Sequence, residues 1–471
     1  GGRALPRLPA IVIAALALAA GAVAAAPAEA APGQAMTFEA PAEFLDDTLR
    51  EPALDEVQAF GVTRIRAQVY WRDFAPVPTE PQAPAFDDTD PAAYPEGTWD
   101  RLDRLVDSAT GRGLEIQLTL TGPVPQWATL TGTDQLTQPD PAMFGRWVTA
   151  VARRYGDRVH LWSIWNEPNQ PAFLLPQFDE RGRAVSPRLY RALYIAGEQA
   201  LHATPGNERD RVLIGETSPI GSDSIVAPLA FLRGVLCLDA SYRRTGRCAR
   251  LRISGYAHHA YPRRSGPLAR PRSPDSVTIG ALDRLVLALD RAARAGVVRP
   301  RLPIHLTEFG IESRPDVIVG VPLARQAEYL AIAERTAFAN PRVRSFSQYL
   351  LRDDPPAEGV PEAERHAGFE TGLRFNDGRA KPSYTGFVLP LAATSFGRSD
   401  VLWGRVRPAR AATVVTLERS TGGRWRQLRR QTTNPAGVYG LRVRHRPRQR
   451  YRVSWTAPDG TVLTGPPIRP Y

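Results

Sequence analysis

The chain has 471 residues, of which 43% are hydrophobic and 23% are charged, so its composition is that of a globular protein and excludes extensive disorder. Its length exceeds that of one average domain. The formal charge is +12, and the basic residues are arginines apart from Lys381.

The first 31 residues have the pattern of a secretory signal peptide. Arg3 and Arg7 precede a run of small apolar residues at 10–26, and Ala28-Glu29-Ala30 offers a cleavage site of the small-x-small type. We therefore expect residues 1–31 to be removed from a secreted, extracellular protein. The alternative is an uncleaved membrane anchor, because the run reaches the lower length limit of a membrane span. Its alanine content and the cleavage site favour secretion, and no later stretch resembles a transmembrane helix.

After the leader, apolar strands alternate with amphipathic helices. Eight strand–helix alternations predict an α/β fold, a (β/α)₈ barrel over residues 36–398. The predicted strands are 36–44, 62–71, 114–120, the first part of 158–169, 211–216, 252–259, 302–308 and 344–351. The predicted helices are 47–60, 99–109, 139–154, 187–203, 225–235, 277–295, 323–338 and 382–393.

Two of these strands end in a glutamate. The strand in 158–169 ends in Asn166 and Glu167, and the seventh strand ends in Thr307 and Glu308. Because the carboxyl ends of barrel strands form the catalytic face, both glutamates should lie on that face. Two carboxylates on separate strands are what the cleavage of a glycosidic bond requires.

The two cysteines, Cys237 and Cys248, lie between the fifth and sixth strands. In an exported protein an even pair predicts one disulfide, here closing a surface loop. Soft ligands nearby are too few to predict a metal site, and cleavage of a glycosidic bond by two carboxylates needs neither a metal nor an organic cofactor.

Four motifs at predicted strand ends resemble those of one group of enzymes. They are Arg66 with Trp71 on the second strand, Trp165-Asn166-Glu167-Pro168 on the fourth, His259-Ala260-Tyr261 on the sixth and Leu306-Thr307-Glu308-Phe309-Gly310 on the seventh. In this order they resemble the clan A retaining glycoside hydrolases. The resemblance covers about residues 36–397, and it is greatest to family 39, the β-xylosidases and α-iduronidases, with the family 5 cellulases next.

The resemblance implies a role for each motif residue. Glu167 matches the acid/base and Glu308 the nucleophile of a double displacement. Asn166 matches the side chain that bonds the sugar's 2-hydroxyl. Arg66 would keep Glu308 ionised, since an adjacent guanidinium favours the charged carboxylate. The predicted substrate-binding set is Asn166, Arg66, His259, Tyr261, Trp127, Tyr349 and Trp71.

Several residues keep two interpretations. His258 could replace His259 in orienting the glutamates, because a register shift of one residue reverses the face of a strand. Glu216 and Glu312, which also follow strands, are expected to be subsite or structural carboxylates. Tyr261 is expected to hydrogen-bond to one of the two catalytic glutamates.

The aromatic residues at strand ends could stack on sugars or fill the core. Trp127, beside two prolines, is the best platform candidate, and Trp71 and Trp165 are open to both interpretations, whereas Trp162 is expected to be packing. Clan members usually carry a tryptophan at the end of the eighth strand. This chain has Ser347-Gln348-Tyr349-Leu350 there, so Tyr349 should take that place.

From residue 399 the pattern changes to short strands, at 402–406, 412–419, 424–431, 437–443 and 451–457, separated by turns rich in glycine, asparagine and proline. Residues 399–471 therefore predict a small β-sandwich of the fibronectin or immunoglobulin type. This segment has fifteen arginines and three acidic residues, so its formal charge equals the +12 of the whole chain. Two interpretations are open: attraction to an anionic cell-wall polymer, or an inert spacer. Nucleic acid is not an expected partner of an exported protein.

Two functions from different classes fit these observations. The favoured one is a secreted retaining glycosidase acting on a β-linked oligosaccharide or polysaccharide, and a transglycosylase would share its first step. The other is a carbohydrate-binding or cell-surface protein without turnover. The pair Glu167 and Glu308 favours the enzyme, because a binding module has no need of two differently tuned carboxylates.

Overall fold

The computed structural model describes residues 33–409 and 411–471. The predicted signal peptide, 1–31, lies outside these residues. Within them, every helix is too short or too polar to reach across a lipid bilayer.

Eight parallel strands close into a barrel, as predicted. Each strand pairs with its neighbours in sequence, and the first strand pairs with the eighth to complete the ring. The strands are β1 (Ala35–Glu39), β2 (Arg64–Tyr70), β3 (Glu115–Thr121), β4 (Leu161–Ile164), β5 (Arg211–Thr217), β6 (Gly255–His259), β7 (Ile304–Glu308) and β8 (Val343–Tyr349).

Helices follow the strands and bury one face against the barrel. Helix α5 illustrates why they form: Asp140 accepts hydrogen bonds from the amides of Ala142 and Met143, and Pro141 occupies the first turn. The helices are α1 (Pro41–Phe44), α2 (Arg50–Ala59), α3 (Trp71–Phe74), α4 (Asp100–Gly111), α5 (Pro141–Tyr155), α6 (Ser186–Ala203), α7 (Pro228–Val235), α8 (Leu282–Arg294), α9 (Leu323–Phe338) and α10 (Pro382–Val388).

The last predicted helix, 382–393, is wrong in its second half. Helix α10 ends at Val388, and Leu391–Phe396 form a strand, β9. Pro390 explains the difference, since proline has no amide hydrogen to donate and disfavours helical geometry in the residue before it.

The C-terminal part of the chain is all-β, as predicted. A three-stranded sheet has the order β13-β10-β9 and a four-stranded sheet the order β12-β11-β14-β15, with antiparallel pairing throughout. The prediction misses β9 and the short β15. The remaining strands are β10 (Ser399–Arg405), β11 (Val414–Thr421), β12 (Arg424–Thr432), β13 (Val438–Arg444), β14 (Arg450–Thr456) and β15 (Val462–Thr464). The predicted boundary at residue 399 stays a prediction; β9 lies before it and pairs with β10 after it.

The three-stranded sheet packs between helix α9 and the rest of the C-terminal unit. Leu402 and Trp403, neighbours on β10 that point to opposite faces, are both buried. Trp403 contacts Phe338 of α9, with ring centroids 5.5 Å apart. Arg407 forms a buried ion pair with Glu334 of the same helix. In the four-stranded sheet, β11 and β14 alternate between buried and exposed positions, so one face of this sheet is open to solvent.

The predicted disulfide between Cys237 and Cys248 is confirmed, with the two Cα atoms 6.3 Å apart. It closes a loop between α7 and β6.

Candidate active site

The polar strand ends meet at one mouth of the barrel. Five strands, and the turn after a sixth, each contribute one charged or titratable side chain: Glu39 from β1, Arg66 from β2, Glu167 just after β4, Glu216 from β5, His259 from β6 and Glu308 from β7. The two glutamates predicted from the sequence are among them.

Glu167 and Glu308 face each other across the mouth. One carboxylate oxygen of each and a ring nitrogen of His259 lie within 4.8 Å of one another. The two glutamate side chains retain 12% and 8% of their exposure. Both carboxylates are therefore close together and accessible from the cleft.

The backbone turns sharply to direct Glu167 into the mouth. Trp165 and Glu167 have φ angles of 69° and 39°, in the left-handed region that costs a residue other than glycine about 1–3 kcal/mol. The amide of Glu167 donates to the carbonyl of Glu216 at 3.0 Å, and that of Trp165 to Leu120 at 2.8 Å. These bonds to the two neighbouring strands, β3 and β5, stabilise the turn.

Arg66 is the centre of the site. Its guanidinium has five N–H groups, and the protein provides an acceptor for each of them. The acceptors are Thr119 Oγ1 (3.1 Å) for Nε, Glu39 Oε2 and Glu308 Oε2 (3.0 Å) for Nη1, and Asn166 Oδ1 (2.8 Å) and Glu216 Oε2 (2.5 Å) for Nη2. Since Arg66 is fully buried, the prediction that it binds substrate directly is wrong. It positions Glu308 and Asn166 instead.

The pKa values of two buried carboxylates beside Arg66 are shifted in opposite directions. Burial opposes the ionisation of Glu216, but the charges of Arg66 and His259 outweigh it and lower its pKa to about 2. Burial raises the pKa of Glu39 to about 7, because Arg66 only partly offsets it. Sequence reasoning misses Glu39, although the residue ends the first strand as Glu308 ends the seventh.

His259 bridges the two sides of the site. Its Nδ1 lies 2.9 Å from Glu167 Oε1, and its Nε2 faces Glu216 at 3.8 Å. Burial would lower the pKa of His259, but Glu308, Glu167 and Glu216 together raise it to about 10, so the imidazole is protonated at neutral pH. It is fully buried, so the prediction that it binds substrate is wrong; it orients Glu167.

The neighbouring His258 points to the other side of the strand. It hydrogen-bonds to Thr217 Oγ1 at 2.9 Å and to the carbonyl of Val277 at 2.7 Å. Burial lowers its pKa to about 4, so it is neutral at pH 7. Of the two histidines, His259 is therefore the one that reaches the glutamates.

The two facing glutamates have different surroundings. Burial raises the pKa of Glu167, and the charge of Glu308 adds to this effect while His259 opposes it. Gln170 donates to the second oxygen of Glu167. Glu308 accepts from Arg66 and, at 2.9 Å, from the hydroxyl of Tyr261. Burial keeps the pKa of Tyr261 well above its ordinary value, so its phenol remains a donor.

The trio of Glu167, His259 and Glu308 also has the spacing of a metal-binding group. A histidine must be deprotonated to bind a metal. The three carboxylates around His259 favour its protonated form, so the electrostatics of the trio suit proton transfer better than metal binding.

The side-chain oxygen of Asn166 is held by a hydrogen bond within the protein, whereas its side-chain nitrogen is free to bind a ligand. Its Oδ1 accepts from Arg66, and its backbone amide donates to Thr121 Oγ1 at 3.0 Å. The amide nitrogen of its side chain makes no hydrogen bond to any residue described. It can therefore donate to a ligand in the mouth.

Of the two interpretations of the tryptophans, stacking on sugars or filling the core, their burial favours the core. Trp71 is fully buried and stacks on Trp147 of α5, with centroids 5.5 Å apart. Trp127 is 5% exposed and meets Trp71 edge-on, which leaves too little surface for a sugar ring. Trp165 is also fully buried, and so is Trp162, as expected of a packing residue.

Tyr349 is half-buried at the end of β8 and remains a candidate for contact with a sugar. Its ring meets the ring of Phe369 edge-on at 5.0 Å. Phe369, which is 39% exposed, adds an aromatic surface that sequence reasoning misses.

The variant Glu216→Gln should destabilise the fold. The substitution removes one of the carboxylates that pair with the buried guanidinium of Arg66. Breaking a buried ion pair lowers the free energy of unfolding by about 3–5 kcal/mol. Because the pKa of Glu216 is lower in the folded protein than its ordinary value of 4.5, its stabilising effect is present above pH 4.5 and is lost towards pH 2. Urea unfolding at pH 7 and pH 3 should therefore show a larger loss at pH 7. The exposed Glu362→Gln is the control, and equal stability of both variants at pH 7 would contradict the expectation.

Comparisons with known proteins add to this geometry. The sequence matches no family model and no curated protein. Among solved structures, a family 39 glycoside hydrolase from the gut symbiont Bacteroides cellulosilyticus WH2 is similar, with a TM-score of 0.50 and 17% identity over 89% of this chain and 81% of that one. The two chains share a fold. The fold that the sequence motifs imply is thus confirmed.

Two further structures are similar at lower TM-scores. The endo-β-1,4-mannanase from Thermotoga petrophila has a TM-score of 0.45 and 10% identity over 92% of this chain and 97% of that one. The β-glycosidase from the hyperthermophile Thermosphaera aggregans has a TM-score of 0.46 and 16% identity over 73% of this chain and 84% of that one.

Proposed function

We propose that this protein is a secreted glycosidase that hydrolyses a β-linked oligosaccharide or polysaccharide with retention of anomeric configuration. The observation that carries the proposal is the pair Glu167 and Glu308, whose nearest oxygens lie within 4.8 Å. Retaining enzymes hold their carboxyl groups about 5–5.5 Å apart, whereas inverting enzymes need about 6.5–9.5 Å to admit a water. The spacing favours retention.

In the first step Glu167 protonates the glycosidic oxygen while Glu308 attacks the anomeric carbon. The bond to the leaving group breaks and a covalent glycosyl ester forms on Glu308. Burial raises the pKa of Glu167, which favours the protonated form that this step needs. Arg66 and Tyr261 hold the two oxygens of Glu308 in position for attack.

In the second step Glu167 takes a proton from water, which attacks the ester and releases the sugar. The pKa of Glu167 has to fall for this reversal. Esterification removes the negative charge of Glu308, which is one of the causes that raise this pKa. The amide nitrogen of Asn166 donates to the 2-hydroxyl, a contact that strengthens as charge develops on the sugar ring.

The sugar cleaved at this site should be neutral. The two cations of the site, Arg66 and His259, are buried and surrounded by four glutamates. Neither is open to an anionic ring. The proposal also includes export through residues 1–31, and an anionic polymer as partner of the basic C-terminal unit.

The test is turnover of a panel of aryl β-glycosides and neutral β-linked polysaccharides, with the first product followed by proton NMR. A β-anomer released first supports retention. An α-anomer released first would contradict the double displacement, and absence of turnover on the whole panel would contradict the enzyme.

A further inference from the structure

We propose that the open face of the four-stranded sheet binds a polysaccharide that carries carboxylate groups. This outer face consists of the outward side chains of β12, β11, β14 and β15. The inference rests on the proposed function for the kind of polymer, but it does not depend on the hydrolytic step.

Side chains on these strands alternate between a buried and an open face. On β11, Val415 and Leu417 are buried, whereas Thr416 and Glu418 between and beside them are partly exposed. On β14, Tyr451 and the buried residues after it alternate in the same way with partly exposed ones. Strand pairing brings the open positions side by side, with Thr416 opposite Ser454 and Glu418 opposite Arg452.

The outer face contains an open groove with a volume of about 710 Å³. Hydroxyl groups, two guanidiniums and a carboxylate share its lining with two exposed valines. The main lining residues are Thr416, Glu418, Arg430, Arg452, Ser454 and Val462. Clustered hydroxyls and charges beside an apolar side chain match the mixed polarity of a sugar ring.

An aromatic ring lies beside the groove, next to Arg452 of its lining. Trp425 of β12 is partly exposed, and the guanidinium of Arg452 lies 4.3 Å from its ring centroid. Glu418 accepts from Arg452 at 2.7 and 3.1 Å. Arg452 is thus held between a carboxylate and an indole before any ligand arrives, which lowers the entropy cost of binding.

Positive charge on the outer face exceeds the single carboxylate. Arg430 and Arg450 are exposed, and neither forms an ion pair with any residue described. A guanidinium binds a carboxylate through two parallel hydrogen bonds. A phosphate polymer or nucleic acid would need only the charge, whereas Trp425 and the hydroxyl groups suit the apolar and polar sides of a sugar. A uronate-bearing polysaccharide uses both.

The outer face and the barrel mouth fit one class of polymer. The mouth accepts a neutral sugar, since its cations are buried and paired. The outer face accepts carboxylates. A polysaccharide with a neutral, cleavable backbone and uronate branches satisfies both sites, so the C-terminal unit would hold the chain that the barrel cleaves.

The test is calorimetric titration of the full chain with oligogalacturonate in about 0.15 M salt, with a neutral oligosaccharide and polyphosphate as comparison probes. We expect binding of oligogalacturonate, and at least a tenfold loss of affinity in Trp425→Ala and in the double variant Arg430→Gln/Arg452→Gln. The matched control is Arg442→Gln/Arg444→Gln, which removes two exposed arginines from β13 in the other sheet. It should retain the affinity.

Three results would overturn the inference: absence of binding, an equal loss in the control variant, or polyphosphate binding as tightly as oligogalacturonate. Thermal unfolding of each variant checks that it is folded. Turnover of an aryl β-glycoside by the control variant is measured in parallel. If turnover is absent while oligogalacturonate binding depends on the outer face, the hydrolytic proposal fails and this inference stands.

Discussion

Replacing Glu308 by glutamine should lower the rate of hydrolysis by at least about three orders of magnitude, because an amide cannot form the covalent intermediate. The variant should fold, since the amide oxygen of glutamine can still accept from Arg66 while its amide nitrogen donates to the hydroxyl oxygen of Tyr261. The measurement is kcat/KM on an activated aryl β-glycoside, together with ligand affinity by calorimetry, which should remain measurable. In Glu308→Ala, which removes the carboxylate and leaves space on the nucleophile's side, added azide should restore cleavage and give a glycosyl azide of opposite anomeric configuration.

The matched control for this variant is Glu312→Gln, four residues further along the same segment. Glu312 accepts from the amide of Glu370 at 2.8 Å, and burial raises its pKa to about 7, so glutamine resembles its protonated form. Its rate should be close to that of the parent protein. An unchanged rate in Glu308→Gln, or an equal loss in both variants, would refute the nucleophile.

Replacing Glu167 by glutamine should produce a loss that depends on the leaving group. General acid catalysis contributes about 10²–10⁴-fold, and poor leaving groups need it most. We expect kcat/KM to fall by about that factor for an alkyl glycoside, and far less for a glycoside of an acidic phenol. The fall should be similar for both substrates if Glu167 only supports the fold, and that result would contradict its role as the acid.

The same variant should change the pH profile. The acid form of Glu167 exists below its pKa, so the rate of the parent protein falls as the pH rises through that value. Burial raises this pKa, so the alkaline limb should lie above the ordinary range of a glutamate near 4.5. In Glu167→Gln the limb should be absent. Gln170→Glu is a second test, since it places another carboxylate beside Glu167. The added negative charge should raise the pKa of Glu167 and move the alkaline limb of the rate profile to higher pH.

The sequence predicts the barrel and the facing glutamates because both depend on local patterns. Strand ends with polar residues mark the catalytic mouth of a parallel barrel, so Glu167 and Glu308 could be predicted without coordinates, and the family resemblance adds Tyr261. His259 could be found as well, although its choice over His258 depends on the register of β6. That register is irregular between the two histidines, and no pattern in the sequence marks the irregularity.

The remaining features depend on tertiary contacts. The five acceptors of Arg66 come from β1, β3, β5, β7 and the turn after β4, so their convergence cannot be derived from one strand. The orientation of an aromatic ring at a strand end cannot be predicted from the sequence either. Trp71 begins the short helix α3, and its ring packs on Trp147 of α5 although its position in sequence suggests the cleft.

The contact between β10 and helix α9 bears on how this protein can be divided. Ala331, Ile332 and Phe338 of α9 share one apolar cluster with Ala392, Trp403 and Val438 of the C-terminal unit. A fragment that stops at residue 398 would uncover this cluster and leave the backbone groups of β9 without a partner strand, which is a template for aggregation. The C-terminal unit thus covers an apolar part of helix α9 on the outside of the barrel. It therefore cannot be exchanged for another domain as a unit joined by a flexible linker could be.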